Sequence, residues 1–219
     1  MVNREQKQAK NLDWSFRGSQ IHTNDSYHEK NVLDSLRPHP GNLKWLQILN
    51  YTGTGFPEWV GDPSFSNLVS VKLIGCKYCC MLPPFGQLPS LKYLHIQQFE
   101  GLVVIGPEFY GPTCADYVIQ PFASMEFLTF DGVGAWEIWS HVAGNESYKA
   151  FPSLKSLGII NCPRLIGDLP GNLGSKAVSI DGCPKLSQPM QFASIFEHYR
   201  QRGCAIAQEN VRDSDLTFL

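Results

Sequence analysis

The 219-residue sequence is poor in charge: Asp, Glu, Lys and Arg make up 17% of it, and 18 basic against 20 acidic residues leave a formal charge of −2. With no basic excess to neutralise a phosphate backbone, nucleic acid is excluded as a first expectation. No apolar run approaches the ~18 residues that read as a membrane span, so no span is expected. The first thirty residues also lack a signal-peptide pattern, which leads to the expectation of an intracellular, cytoplasmic chain. No Gly-x-x-x-x-Gly-Lys-Ser/Thr phosphate loop, His-Glu-x-x-His or Gly-x-Ser-x-Gly string occurs. Carboxylates such as Glu58, Asp62, Glu100 and Glu108 are too scattered to nominate a general acid and base. The chain is therefore expected not to be an enzyme, with no catalytic residue, no metal and no cofactor. Seven cysteines, an odd number, fit a reducing compartment better than a disulfide framework.

What is abundant is punctuation and a repeat. Gly (19) and Pro (15) exceed the usual ~12% of composition and favour turns over long helices. Leu43-Lys44-Trp45-Leu46-Gln47-Ile48, Leu68-Val69-Ser70-Val71-Lys72-Leu73 and Leu91-Lys92-Tyr93-Leu94-His95-Ile96 share one pattern, apolar-x-x-apolar-x-apolar. Met125-Glu126-Phe127-Leu128-Thr129-Phe130 and Leu154-Lys155-Ser156-Leu157-Gly158-Ile159 repeat it, and a weaker sixth copy ends Val178-Ser179-Ile180. The first positions are separated by 25, 23, 34, 29 and 21 residues. Each hexamer ends with period two, the signature of a short strand with one buried and one open face. One such strand cannot bury its apolar face alone, whereas parallel copies stacked on one another share a continuous core.

The expected fold is a leucine-rich repeat solenoid of α/β class but β-rich, a curved parallel sheet with irregular convex-side loops and short helices. Cys76, Cys162 and Cys183 each stand three residues after the last strand apolar, a position where these repeats carry Asn or Cys. Phe56-Pro57-Glu58-Trp59-Val60, Leu82-Pro83-Pro84-Phe85-Gly86 and Leu169-Pro170-Gly171 predict extended or 3₁₀ return arcs, because proline cannot extend a helix interior. The stretches between Gly101 and Phe122 and between Trp136 and Phe151 read as insertions, with Trp136 and Trp139 expected in packing rather than on the strand face. Three segments follow: 1–42, with a strand at Asn11–Trp14, a non-periodic polar stretch Gly18–Lys30 and a short helix over Asn31–Leu36; 43–187, about six coils; and 188–219. In the last, Phe192, Ile195, Phe196 and Tyr199 predict an amphipathic helix that could cap the open edge, followed by a poorly ordered tail.

Several blocks go beyond the generic repeat. Val32-Leu33-Asp34-Ser35-Leu36-Arg37-Pro38-His39-Pro40, Gly53-Thr54-Gly55-Phe56-Pro57-Glu58-Trp59-Val60, Leu82-Pro83-Pro84-Phe85-Gly86-Gln87-Leu88-Pro89-Ser90-Leu91-Lys92-Tyr93-Leu94, and Phe151-Pro152-Ser153-Leu154-Lys155-Ser156-Leu157 with Cys162-Pro163-Arg164-Leu165 occur in that order. Over about residues 11–187 the chain resembles the C-terminal leucine-rich repeat region of plant coiled-coil, nucleotide-binding disease-resistance receptors. The resemblance implies a module that senses a pathogen effector or a guarded host protein and helps hold the receptor inactive. The missing phosphate loop means that this chain cannot switch by itself. A truncated relative, a partial gene product and an excised fragment all remain open, and a secreted inhibitor of cell-wall enzymes lacks both the signal peptide and the regular coils it would need.

The candidate binding residues are those on the open strand face: Trp45, Gln47 and Leu49; Lys72, flanked by Ser70 and Ile74; Tyr93, His95 and Gln97; Phe127, Thr129 and Asp131. Ser156, Gly158 and Ile160 continue them. Equivalent positions about 4.8 Å apart would align Trp45, Tyr93 and Phe127 in an aromatic column broken by Ser70. Exposed aromatics are typical anchors for protein partners, and coverage by flanking loops is the competing reading. Cys76, Cys79, Cys80 and His95 raise a zinc site, but a second Cys-x-x-Cys is missing, so Cys76 is assigned to the core and Cys79 and Cys80 to a turn. His95 is either a solvated surface residue or a partner contact.

Overall fold

A computed structural model describes residues 10–16, 25–112, 120–140, 150–167, 169 and 177–186, with only the backbone for 25–27. The chain divides into units 1–188 and 189–219, and every described residue belongs to the first. The C-terminal helix and tail expected over 188–219 lie outside the described residues, as does the Pro170-Gly171 turn.

The hexamers become strands. β1 (Asn11–Ser15), β2 (Trp45–Leu49), β3 (Ser70–Ile74) and β4 (Tyr93–Gln97) are followed by a two-residue β5 (Val104–Ile105). Then come β6 (Phe127–Asp131), the short β7 (Ile138–Trp139), β8 (Ser156–Ile160) and β9 (Ala177–Asp181). The seven longer strands form one sheet in the order β1-β2-β3-β4-β6-β8-β9. Every pairing is parallel, and each begins at the first residue of both strands. The unequal repeat lengths therefore leave no trace in the sheet. A one-residue slip would swap buried and open faces, and the shared apolar pattern forbids it.

Alternation assigns the faces. Leu46 and Ile48, Val71 and Leu73, Leu94 and Ile96, Leu128 and Phe130, and Leu157 and Ile159 are all buried. In β9 the pattern persists but the burial does not. Val178 is 39% and Ile180 47% exposed, because no described coil follows to cover them.

A second regularity closes each strand. Asn50, Gly75, Gln98, Gly132, Asn161 and Gly182 all have φ between 52° and 71°. The backbone N–H of each of the first five donates to the last strand carbonyl of the next coil: Ile74, Gln97, Asp131, Ile160 and Asp181, at 2.8–2.9 Å. This left-handed residue turns the chain off the sheet while keeping its hydrogen bond, which is why only Asn, Gln and Gly occupy it. At Gly75 a Cβ would lie 2.5 Å from Asn50 Oδ1, so the asparagine of one coil lies over the glycine of the next.

The following residue always turns inward. Tyr51, Cys76, Phe99, Val133 and Cys162 are fully buried, and Cys183, in the last described coil, is half-buried. The return arcs contain 3₁₀ turns at Glu58–Gly61 and Phe85–Gln87, as the proline patterns predict, and a third at Pro107–Tyr110. They stack closely: a Cβ on Gly86 would collide with the backbone carbonyl of Tyr110.

The insertions are structured where described. β5 pairs with β7, and an isolated parallel bridge from Ile138 to Ile166 carries this ribbon into the next coil. Between ribbon and main sheet, Phe130 packs 4.7 Å from Trp136 and 5.4 Å from Trp139, and Phe122 stacks 4.6 Å from Phe151. Trp136 and Trp139 are buried, as expected.

The N-terminal helix differs from the sequence expectation. It spans Asp25–Ser35 and so begins inside the stretch that shows no periodicity. The physical reason is that polar contacts fix it. Glu29 accepts the Thr52 N–H at 2.7 Å, Trp59 Nε1–H donates to the Leu33 carbonyl at 3.3 Å, and Leu33 is the one fully buried side chain among the helix's described ones. Such a helix carries no apolar stripe to read. No helix among the described residues is long and apolar enough to cross a membrane.

Candidate protein-binding surface

The in-register strands arrange their open-face residues in three columns. The first reads Asn11, Trp45, Ser70, Tyr93, Phe127, Ser156, Ala177. The second reads Asp13, Gln47, Lys72, His95, Thr129, Gly158, Ser179, and the third Ser15, Leu49, Ile74, Gln97, Asp131, Ile160, Asp181. The ten candidate residues thus lie on one face, over β2, β3, β4 and β6. Trp45 is 47%, Tyr93 43% and Phe127 38% exposed, so no described loop covers the rings. Tyr93 and Phe127 stack at 5.3 Å with planes 5° apart.

Polar side chains tie Gln97 and Asp131 of the third column to each other and to their neighbours. Gln97 Nε2 donates to Asp131 Oδ2 at 3.0 Å, Asn161 Nδ2 donates to Asp131 Oδ1 at 3.3 Å, and His95 Nε2 lies 3.4 Å from Gln97 Oε1. His95 is therefore a half-buried member of a hydrogen-bonded row.

A fourth row was not anticipated from the sequence. The ladder continues one residue before each strand, with Lys44 N–H bonded to Lys10 O, Val69 to Lys44, Lys92 to Val69, Glu126 to Lys92 and Lys155 to Glu126, all at 2.7–2.9 Å. Lys10, Lys44, Val69, Lys92, Glu126 and Lys155 thus stand side by side along the strand N-termini. The signal was visible as the second position of each hexamer. Glu126 bridges Lys92 at 2.9 Å and Lys155 at 2.5 Å. The hydrogen bonds from Lys155 and then Lys92 hold its carboxyl below the usual carboxylate range, and the same contact raises Lys92.

Cys76, Cys79 and Cys162 belong to the interior. Burial pushes the thiols of Cys76 and Cys162 up to about 12 and raises that of Cys79 well above its ordinary value, so these groups are neither nucleophiles nor ready metal ligands. Cys79 was expected in a turn. The turn is at Lys77–Tyr78, and the Cys79 side chain goes into the core, where Sγ–H donates to the Gly53 carbonyl at 3.1 Å. Cys76 and Cys79 face inward while His95 stands on the open face, so the zinc donor set raised by the sequence is not assembled. Cys80 is disulfide-bonded, which the odd cysteine count did not lead one to expect, whereas Cys76, Cys79, Cys162 and Cys183 are free.

Comparison with known proteins agrees with this architecture. The family model described as R13L1/DRL21 LRRs matches residues 2–99. The chain is 41% identical over 177 residues to disease resistance RPP13-like protein 1 of Arabidopsis thaliana, covering 77% of this chain and 17% of that protein. A second Arabidopsis disease resistance protein is 39% identical over 79% of this chain and 12% of its own length. Disease resistance protein RGA4 of Solanum bulbocastanum is 32% identical over 63% of this chain and 14% of its own. The chain thus spans less than a fifth of the length of these relatives. No solved structure matches it. Its repeats, register and relatives together establish that the chain belongs to the leucine-rich repeats of plant nucleotide-binding disease-resistance proteins.

Proposed function

We propose that the chain is a protein-interaction module of a plant innate-immune receptor, binding a pathogen effector or a guarded host protein through the concave, open face of its sheet and catalysing no reaction itself. The observation that carries this reading is the exposed aromatic column of Trp45, Tyr93 and Phe127 on a rigid ladder. Large rings held on a scaffold lose little conformational freedom on binding, which makes them effective interface anchors. The disease-resistance relatives support an intracellular location and protein partners. In the alternative reading the contact is with the nucleotide-binding region of the same receptor, and the chain acts as a regulatory fragment. Affinity capture with the full chain as bait separates the two, using a panel of secreted pathogen proteins in one arm and a separately expressed nucleotide-binding region in the other. The combined Trp45→Ala, Tyr93→Ala and Phe127→Ala variant should lose the captured partner while keeping its unfolding midpoint. Undiminished capture would overturn the open-face assignment.

A further inference from the structure

The aromatic column lacks one ring, and the gap has a definite shape. Tyr93 and Phe127, on neighbouring strands, stack face to face at 5.3 Å. Trp45 and Tyr93 are separated by β3, which contributes only Ser70. Two strand spacings place their Cα atoms about 9.6 Å apart. No ring contact joins Trp45 to Tyr93 among the described residues, and Ser70, 9% exposed, forms the floor between them. A planar guest standing over Ser70 would lie about 4.8 Å from each wall, within the 4.5–7 Å range in which aromatic pairs attract.

The charges around the gap select the guest. Lys44 precedes Trp45, Lys10 is the ladder neighbour of Lys44, and Lys72 follows Ser70 on the same face. None of the three lies within 4 Å of a carboxylate among the described residues, whereas Lys92 is held by Glu126. The carboxylate that shares this end of the face is Asp13, in register with Gln47. Two lysines side by side repel each other, and the corner as a whole repels a guanidinium that might otherwise enter as the flat guest. Carboxylates beside the guest relieve that repulsion.

We propose that the slot between Trp45 and Tyr93 receives a single aromatic side chain from an acidic segment of another protein, its carboxylates lying along Lys10, Lys44 and Lys72. This inference rests on the open-face reading above and narrows it to one subsite and one ligand chemistry.

The test uses the full chain and a fluorescein-labelled Asp-Glu-Phe-Glu-Asp peptide followed by fluorescence anisotropy. Saturable binding is expected. Ser70→Phe, which fills the slot with the missing ring, and Lys44→Glu combined with Lys72→Glu should each weaken it by about tenfold or more. Ser70→Ala, which leaves the slot open, should stay within about twofold. Replacing the peptide's Phe with Ala, or its acids with Lys, should abolish binding. If Ser70→Phe binds as the parent does, or the Lys-flanked peptide binds equally well, or no peptide binds at millimolar concentration, the proposal is overturned. Should Ser70→Phe fail to fold, the lysine reversals and the peptide variants still decide the matter. Loss of partner capture in the Trp45, Tyr93 and Phe127 alanine variant, alongside a failed peptide test, would sink the slot alone and leave the open-face reading standing. Retention of capture would sink both.

Discussion

The two halves of the open face treat their side chains differently. Over β4, β6 and β8 the groups satisfy one another: Tyr93 stacks on Phe127, Glu126 bridges Lys92 and Lys155, and Asp131 accepts from Gln97 and Asn161. Over β1, β2 and β3, Trp45 has no stacked neighbour, and Lys10, Lys44 and Lys72 have no carboxylate within 4 Å among the described residues. Both halves share the same backbone ladder, so the difference lies entirely in which residues occupy equivalent positions. A partner gains most where the surface has not already satisfied itself, which points to the β1–β3 half as the place of strongest contact.

That contrast can be broken from beneath. Phe130→Ala removes a fully buried ring that packs against Phe109, Trp136 and Trp139, and should cost about 3–5 kcal/mol of stability in urea unfolding. The β4–β8 half should lose its order with it. A cost below ~1 kcal/mol would mean that the aromatic cluster is not the support of β6.

Next in size is Gly75→Ala, at the exit of β3, where φ is +71° and a Cβ would lie 2.5 Å from Asn50 Oδ1. An expected loss of about 1–3 kcal/mol follows from the left-handed backbone and the crowding together. Pairing it with Asn50→Gly relieves only the crowding. Partial recovery would therefore apportion the two causes, and full recovery would show that backbone strain is negligible.

The smallest effect is expected at Glu126→Gln, read as a shift in thermal midpoint that shrinks with added salt. The carboxyl is held below its ordinary range, so its stabilising contribution is fully present above the unfolded-state value. It is lost as pH falls through the lower folded-state value. The difference between parent and variant should accordingly fade toward acid. A gap that persists below the ordinary carboxylate range would assign the effect to packing instead.

Much of this was legible in the sequence because the repeat carries it. The hexamers, the weak sixth copy included, place six of the sheet's seven strands and the three columns, since period-two alternation and parallel stacking leave no freedom once the register is set. Asn11–Trp14 reads as a strand, but its place as the first rung depends on pairing that a single sequence does not display. The left-handed residues Asn50, Gly75, Gln98, Gly132, Asn161 and Gly182 form no pattern in the sequence because three residue types share one backbone requirement. The early start of the helix at Asp25 leaves no periodic signal because Glu29 and Trp59, rather than an apolar stripe, fix it. Cys79 reads as a turn residue once the zinc reading is set aside, and only the fold of the return arc directs it inward. The lysine row needed nothing beyond the hexamers themselves, yet it acquires meaning only when Glu126 is seen to neutralise one half of it.

Disulfide trapping tests the parallel, in-register stacking of coils most directly. Gln47 and Lys72 are register partners on one face, so Gln47→Cys with Lys72→Cys should close a bond, their Cα atoms falling inside the ~4.4–6.8 Å window. Gln47→Cys with Ile74→Cys, one step further along β3, sets them about 8 Å apart and should stay reduced under the same oxidant. The first bond forming without the second is the predicted result; the reverse would mean that the strands are paired in another register and that the columns do not exist.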